Sequence, residues 1–171
     1  MNLNYKYIFI IILNFFCFCS SQNNRGYIVN IGDKSPEFNL EGQNFIESNK
    51  GKVIMLQFTA SWCSVCIQEM PHLEKDVWQR FKDDGLKLIG IDKDEPIDVV
   101  RKFQKRVGTT YPIALDPGSK HFTKFAHKNS GVTRNIVIDR DGKIAFLTRL
   151  FDKVEFQQMI NVIDRLINDK N

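Results

Sequence analysis

Two cysteines three residues apart, Cys63 and Cys66, are the residues best suited to chemistry in this chain. Thiols at that spacing can close a small disulfide and exchange two electrons with another thiol or disulfide. The segment Trp62-Cys63-Ser64-Val65-Cys66 falls where an apolar run gives way to a stretch of helical spacing. A thiol at the first turn of a helix faces unpaired backbone N–H groups and the positive end of the helix dipole, and both favour the thiolate. Cys63 is therefore expected to attack a substrate disulfide. Cys66, one turn deeper and more shielded, is expected to resolve the mixed disulfide. The competing reading is a pair of buried structural thiols. Structural zinc is disfavoured, because no histidine stands at ligand spacing from the pair. Trp62 either fills the core or flanks the reactive sulfur.

The elements around the pair must hold it at a strand-to-helix junction. Residues 53–58, Val-Ile-Met-Leu-Gln-Phe, form a nearly continuous apolar run opened by Gly51-Lys52, the pattern of a buried strand. Residues 64–82 then place Met70, Leu73, Val77, Trp78 and Phe81 at steps of three and four, one apolar helix face that Pro71 should kink. A second buried strand is expected over 86–91 and a helix from Pro96 to the stop at Gly108. A third, shorter helix is expected through Phe122, Phe125 and Ala126. Strands over 135–138 and 144–147 flank Asp139-Arg140-Asp141-Gly142, a strong hairpin signal. A last amphipathic helix runs from about Lys153 through Phe156, Met159, Ile160, Ile163 and Leu166. Ahead of all these, 38–40 and 43–46 suggest a small hairpin. Crossover units followed by a hairpin give an α/β fold, a central mixed β-sheet flanked by helices on both faces.

Composition narrows the function. The chain has 171 residues, 43% hydrophobic and 26% charged, with 14 phenylalanines, which fits one soluble domain with a well-filled core. A net charge of +4 without a basic cluster does not suggest a nucleic-acid partner. Arg101, Lys102, Lys105 and Arg106 are expected to cover the outer face of a helix. Asp92, Asp94 and Glu95 follow the second strand and read as solvated loop carboxylates rather than metal ligands, and no cofactor is expected.

The first 21 residues resemble an export signal. Lys6 is the only charge among the first 24 residues, and the run from Ile8 to Cys19 is apolar apart from Asn14. That run is short for a membrane-spanning helix. A cysteine closing such a run, followed by Ser20-Ser21, is similar to a bacterial lipoprotein signal, with Cys19 the candidate lipid-bearing residue. Simple cleavage and a retained anchor are the alternatives. All three put residues 22–171 in the cell envelope, periplasmic or membrane-anchored, where oxidising conditions give a dedicated dithiol a purpose.

The stretch from Phe58 to Pro71, Phe-Thr-Ala-Ser-Trp-Cys-Ser-Val-Cys-Ile-Gln-Glu-Met-Pro, resembles the active-site segment of the TlpA-like branch of the thioredoxin superfamily. Gly32-Asp33-Lys34-Ser35-Pro36-Glu37-Phe38 and Ile138-Asp139-Arg140-Asp141-Gly142-Lys143-Ile144 extend the likeness over roughly residues 29–168. The resemblance implies a thioredoxin-like fold and an extracytoplasmic, membrane-tethered thiol–disulfide oxidoreductase, often a reductant. Its partners would be protein thiols or disulfides and an upstream membrane electron donor. It also assigns Glu69, three residues after Cys66, a role in tuning the pair, against the alternative of a surface carboxylate. Three departures stand out. Val65 replaces a common proline between the cysteines, where Ser64 and Val65 influence thiolate stability. Gln57 lies where thioredoxins proper carry a buried Asp, which leaves Glu69 as the first candidate for proton transfer. Thr133 takes the place of the family's cis-proline, so its hydroxyl is expected to donate to the thiolate and Arg134 to add positive charge nearby, unless the segment is a plain loop. A thiol peroxidase is the rival activity, but Ala60 stands where a peroxidatic site would carry Thr. A binding module with a static disulfide is the non-enzymatic alternative.

Overall fold

The computed structural model describes residues 25–169. The expected signal segment 1–21 and Cys19 lie outside them. A five-stranded sheet has the order β5-β4-β3-β6-β7, from β3 (Val53–Thr59), β4 (Leu86–Lys93), β5 (Ile113–Asp116), β6 (Arg134–Ile138) and β7 (Ile144–Arg149). The β3–β4 and β4–β5 pairs are parallel; β6 runs antiparallel to β3 and β7 to β6. All seven residues of β3 are buried, as an unalternating apolar run at the centre of a sheet requires.

Successive right-handed crossovers β3–α2–β4 and β4–α4–β5 step the same way across the sheet, which puts α2 (Ser64–His72) and α4 (Ile97–Val107) on one face. There α5 (Lys153–Asn168) joins them, tied by Arg80 to Asp164 at 2.8 Å. The opposite face carries the small hairpin β1 (Asn39–Leu40) and β2 (Gln43–Asn44), α1 (Phe45–Ser48) and two 3-10 turns. On that side Phe58 packs edge-on against Phe122 at 5.3 Å, and Phe38 stacks with Phe45 at 5.5 Å. The mixed sheet with helices on both faces is as expected, with the long helices on one side.

Three local expectations are corrected. The helix expected over 64–82 is α2, then a π-helical segment Leu73–Trp78, then α3 (Gln79–Phe81). Pro71 has no N–H to give the carbonyl four residues back, and the ladder re-forms one residue wider after it. The helix expected at Phe122–Ala126 is two 3-10 turns, Pro117–Ser119 and Phe122–Lys124. Asp116 draws the chain into them by accepting the N–H groups of His121 and Phe122 at 2.7 and 2.8 Å. Phe45 and Ile46, expected in the second strand of the hairpin, begin α1 instead, because the Asn44 side chain caps the helix by accepting the N–H groups of Ile46 and Glu47.

Candidate active site

The buried strand β3 ends at Thr59, and the chain turns through Ala60-Ser61-Trp62 before α2 begins. Cys63 is the N-cap of α2, and its Sγ accepts the backbone N–H of Cys66 at 3.1 Å. The two cysteines are joined in a disulfide, with Cα atoms 5.2 Å apart. Cys66 is fully buried; Cys63 is 5% exposed, slightly the more accessible of the two in this oxidised form. An amide N–H aimed at Sγ, together with the helix terminus, stabilises negative charge there once the disulfide opens. Trp62 is 63% exposed, so it flanks the pair at the surface instead of filling the core. Ser64 is exposed and Val65 half-buried along the same rim.

Glu69 lies one turn beyond Cys66 on the same side of α2 and is 1% exposed, which excludes the surface alternative. Its carboxyl accepts the Thr133 hydroxyl at 2.6 Å and the Asn135 side-chain amide at 2.7 Å. Asn135 also donates to the Thr148 hydroxyl at 2.9 Å. Gln57 faces Asn135 across the β3–β6 register and takes the Tyr111 hydroxyl at 2.7 Å. These residues are buried polar groups one helical turn beyond the disulfide. Gly90 makes room for them: a Cβ there would stand 3.0 Å from Ile113 and 3.5 Å from the Tyr111 ring. Burial pushes the Glu69 carboxyl from 4.5 up to about 7, against the opposing bonds from Thr133 and Asn135. A carboxyl tuned to neutrality can both hold and release a proton at physiological pH.

Two expectations about the late loop need correction. The Val132–Thr133 peptide is cis, and Thr133 is fully buried, but its hydroxyl donates to Glu69 and not to the sulfur. Arg134 points to the other face of the sheet, because successive strand residues alternate sides. Its guanidinium donates to the carbonyls of Gly131 and Arg25 and lies 4.5 Å over the Tyr27 ring. The structure thus gathers Cys63, Cys66, Glu69, Trp62, Ser64, Val65 and Thr133 at one end of the sheet and leaves Arg134 outside. Tyr111, Asn135 and Thr148 were missed from sequence. The signal available was a polar residue inside an apolar strand, as Asn135 stands within Arg-Asn-Ile-Val-Ile.

The family profile described as AhpC/TSA matches residues 31–147. The thiol-disulfide oxidoreductase ResA of Bacillus thuringiensis is 31% identical over 118 residues, covering 67% of this chain and 66% of that protein. The chain therefore spans just under two thirds of the length of that relative. The solution structure of a Bacteroides thetaiotaomicron protein, described as a candidate protein disulfide isomerase, superposes with a TM-score of 0.80 at 48% identity, covering 84% of this chain and 94% of that one. A crystal structure from Chlorobium tepidum, described as a candidate thiol:disulfide interchange protein DsbE, gives a TM-score of 0.68 at 23% identity over 82% of this chain and 99% of that one. At that identity it speaks for the fold alone, which is thioredoxin-like.

Proposed function

The chain belongs to the AhpC/TSA family, and from that premise we propose that it is a TlpA-like thiol–disulfide oxidoreductase that reduces disulfides of exported proteins. The observation that carries the proposal is a closed Cys63–Cys66 disulfide at a helix N-terminus, with a buried carboxyl poised near neutrality one turn further along the same side of that helix. The Cys63 thiolate attacks one sulfur of a substrate disulfide and expels the other as a thiolate, leaving a mixed disulfide. Cys66 then gives its proton to Glu69 and attacks the Cys63 sulfur. The 63–66 disulfide closes, the second substrate thiolate departs, and two electrons have passed to the substrate. The reducing direction and an upstream membrane electron donor follow from the branch that the active-site segment resembles. Trp62, Ser64 and Val65 line the rim where a substrate chain would lie, and Thr133 lies buried behind it.

Export and tethering are proposed on the sequence of the first 24 residues: a leader over 1–21, lipid attachment at Cys19, and a thioredoxin-like domain over 22–171 in the periplasm or on the envelope membrane. Among the described residues no helix is long and apolar enough to cross a membrane.

Trapping tests the reading. Cys66→Ser, expressed in the full chain, should accumulate mixed disulfides with protein substrates, visible as reductant-sensitive adducts. Cys63→Ser should accumulate none. Adducts that form equally in both variants, or in neither, would contradict the assigned roles. Rapid consumption of peroxide without any adduct would point to peroxidase chemistry instead.

A further inference from the structure

The chain just before Cys63 is held from outside its own helix. Ser61 gives its backbone N–H to Glu95 Oε2 at 2.5 Å and its hydroxyl to Glu95 Oε1 at 2.6 Å. The carbonyl of Ser61 accepts Arg106 Nη2 at 3.0 Å. All three polar groups of Ser61 are thus bonded to the β4–α4 side of the molecule. Behind Glu95 lies Asp92, at the end of β4 in register with Thr59. Asp92 is fully buried, and neither of its oxygens meets a donor among the described residues. A buried carboxylate without a donor is costly. The cost falls if Asp92 carries a proton, and Glu95, whose charge acts on Asp92, is the carboxylate to receive it.

We propose that Glu95 and Asp92 are positioning residues for the Cys63 sulfur: a proton shared between them locks Glu95 onto Ser61, which fixes the Trp62–Cys63 shoulder under the Cys66 N–H. The inference rests on the reading that Cys63 is the attacking thiol, and it assigns work to two carboxylates that the sequence alone gives to solvent. Burial first, and then the negative charge of Glu95, push the Asp92 carboxyl from 3.8 up to about 7. Asp116 of β5 adds to the same push. Arg106 of α4 reaches the clamp only through the Ser61 carbonyl. The lock is therefore closed below about pH 7 and loosens above it, where both carboxylates are charged and repel.

The test uses isotope-labelled, reduced full chain in a Glu69→Gln background, so that Glu69 does not titrate in the same range. The Ser61 amide proton should resonate far downfield and shift with a midpoint near pH 7. In Asp92→Asn, where the side chain is a permanent donor, that shift should be absent. The Cys63 thiol midpoint, read from its Cβ resonance, should be about one pH unit higher in Glu95→Ala than in Glu95→Gln, the worth of one hydrogen bond to a charged sulfur. Glu95→Gln keeps an acceptor for Ser61 and removes the charge, so the comparison separates tethering from electrostatics. A Ser61 amide that ignores pH between 5 and 9, or equal Cys63 midpoints in the two Glu95 variants, would overturn the proposal. Should Glu95→Ala fail to fold, the Ser61 titration with and without Asp92→Asn decides alone. The trapping experiment is independent: Cys63 adducts with a silent Ser61 would sink the clamp and leave the oxidoreductase standing.

Discussion

At the scale of residues, the chemistry divides between a sulfur that must lose its proton easily and a carboxyl that must be able to take one. Cys63 gets the first property from the Cys66 N–H and the start of α2. Glu69 gets the second from burial, which holds it near pH 7 among Thr133, Asn135 and Gln57. Below that pH Glu69 is protonated and cannot accept from Cys66; above it, it can. The resolving step should therefore quicken as pH rises through about 7. Glu69→Gln should flatten that dependence and slow the step about 100-fold, the low end of a general-base contribution. Stopped-flow measurement of mixed-disulfide resolution across pH 5–9 reads both. The cysteine pair was legible in sequence because its spacing and its junction are local. Glu69 was legible only as a position, and its partners came from Thr133 and from Asn135 of β6, 64 and 66 residues further along the chain. Tyr111 and Thr148 belong to strands and loops that meet the site only in three dimensions. Thr133 was singled out in sequence as a donor to the sulfur, yet its hydroxyl donates to the Glu69 carboxyl.

Elements carry the site by where they start and stop. Local signals placed the main strands, the Gly108 stop with its left-handed φ of 72°, and α5 close to their observed positions. They failed where a tertiary partner redirects the backbone. Asp116, bonding two amides at once, turns the apolar Phe122–Ala126 stretch into 3-10 geometry. The π-helical segment after Pro71 shifts the phase of the helix, so Trp78 reaches the Thr110 hydroxyl at 3.1 Å. In contrast, α5 is held by a local device: Asp152 accepts the N–H groups of Val154 and Glu155 at 3.0 and 2.9 Å. Asp152→Ala should cost about 1 kcal/mol and lower the melting temperature by about 3 °C. Disulfide exchange should be unchanged, since α5 lends the cysteines no ligand; differential scanning calorimetry with a parallel turnover assay checks both statements.

For the whole molecule, a working site of this kind is stored against stability. Glu69 and Asp92 are raised from 4.5 and 3.8 to about 7, so the folded chain binds protons that the unfolded chain has already released. Where the native state holds more protons, stability falls as pH rises. The contribution of these two groups is complete below about pH 4 and declines through pH 7, where the folded chain must ionise buried carboxyls. Urea unfolding of the oxidised protein should show greater stability at pH 5 than at pH 8. In Glu69→Gln/Asp92→Asn that difference should shrink; an unchanged difference would place the protons elsewhere.

The most direct check of the account is the reactivity of the reduced protein toward iodoacetamide as a function of pH, with the labelled cysteine identified by mass spectrometry. The thiol that reacts first should be Cys63, with a midpoint clearly below the value of about 8.5 of a free cysteine. Labelling of Cys66 ahead of Cys63, or a Cys63 midpoint at or above that of a free thiol, would contradict the claim that the start of α2 makes this sulfur the nucleophile.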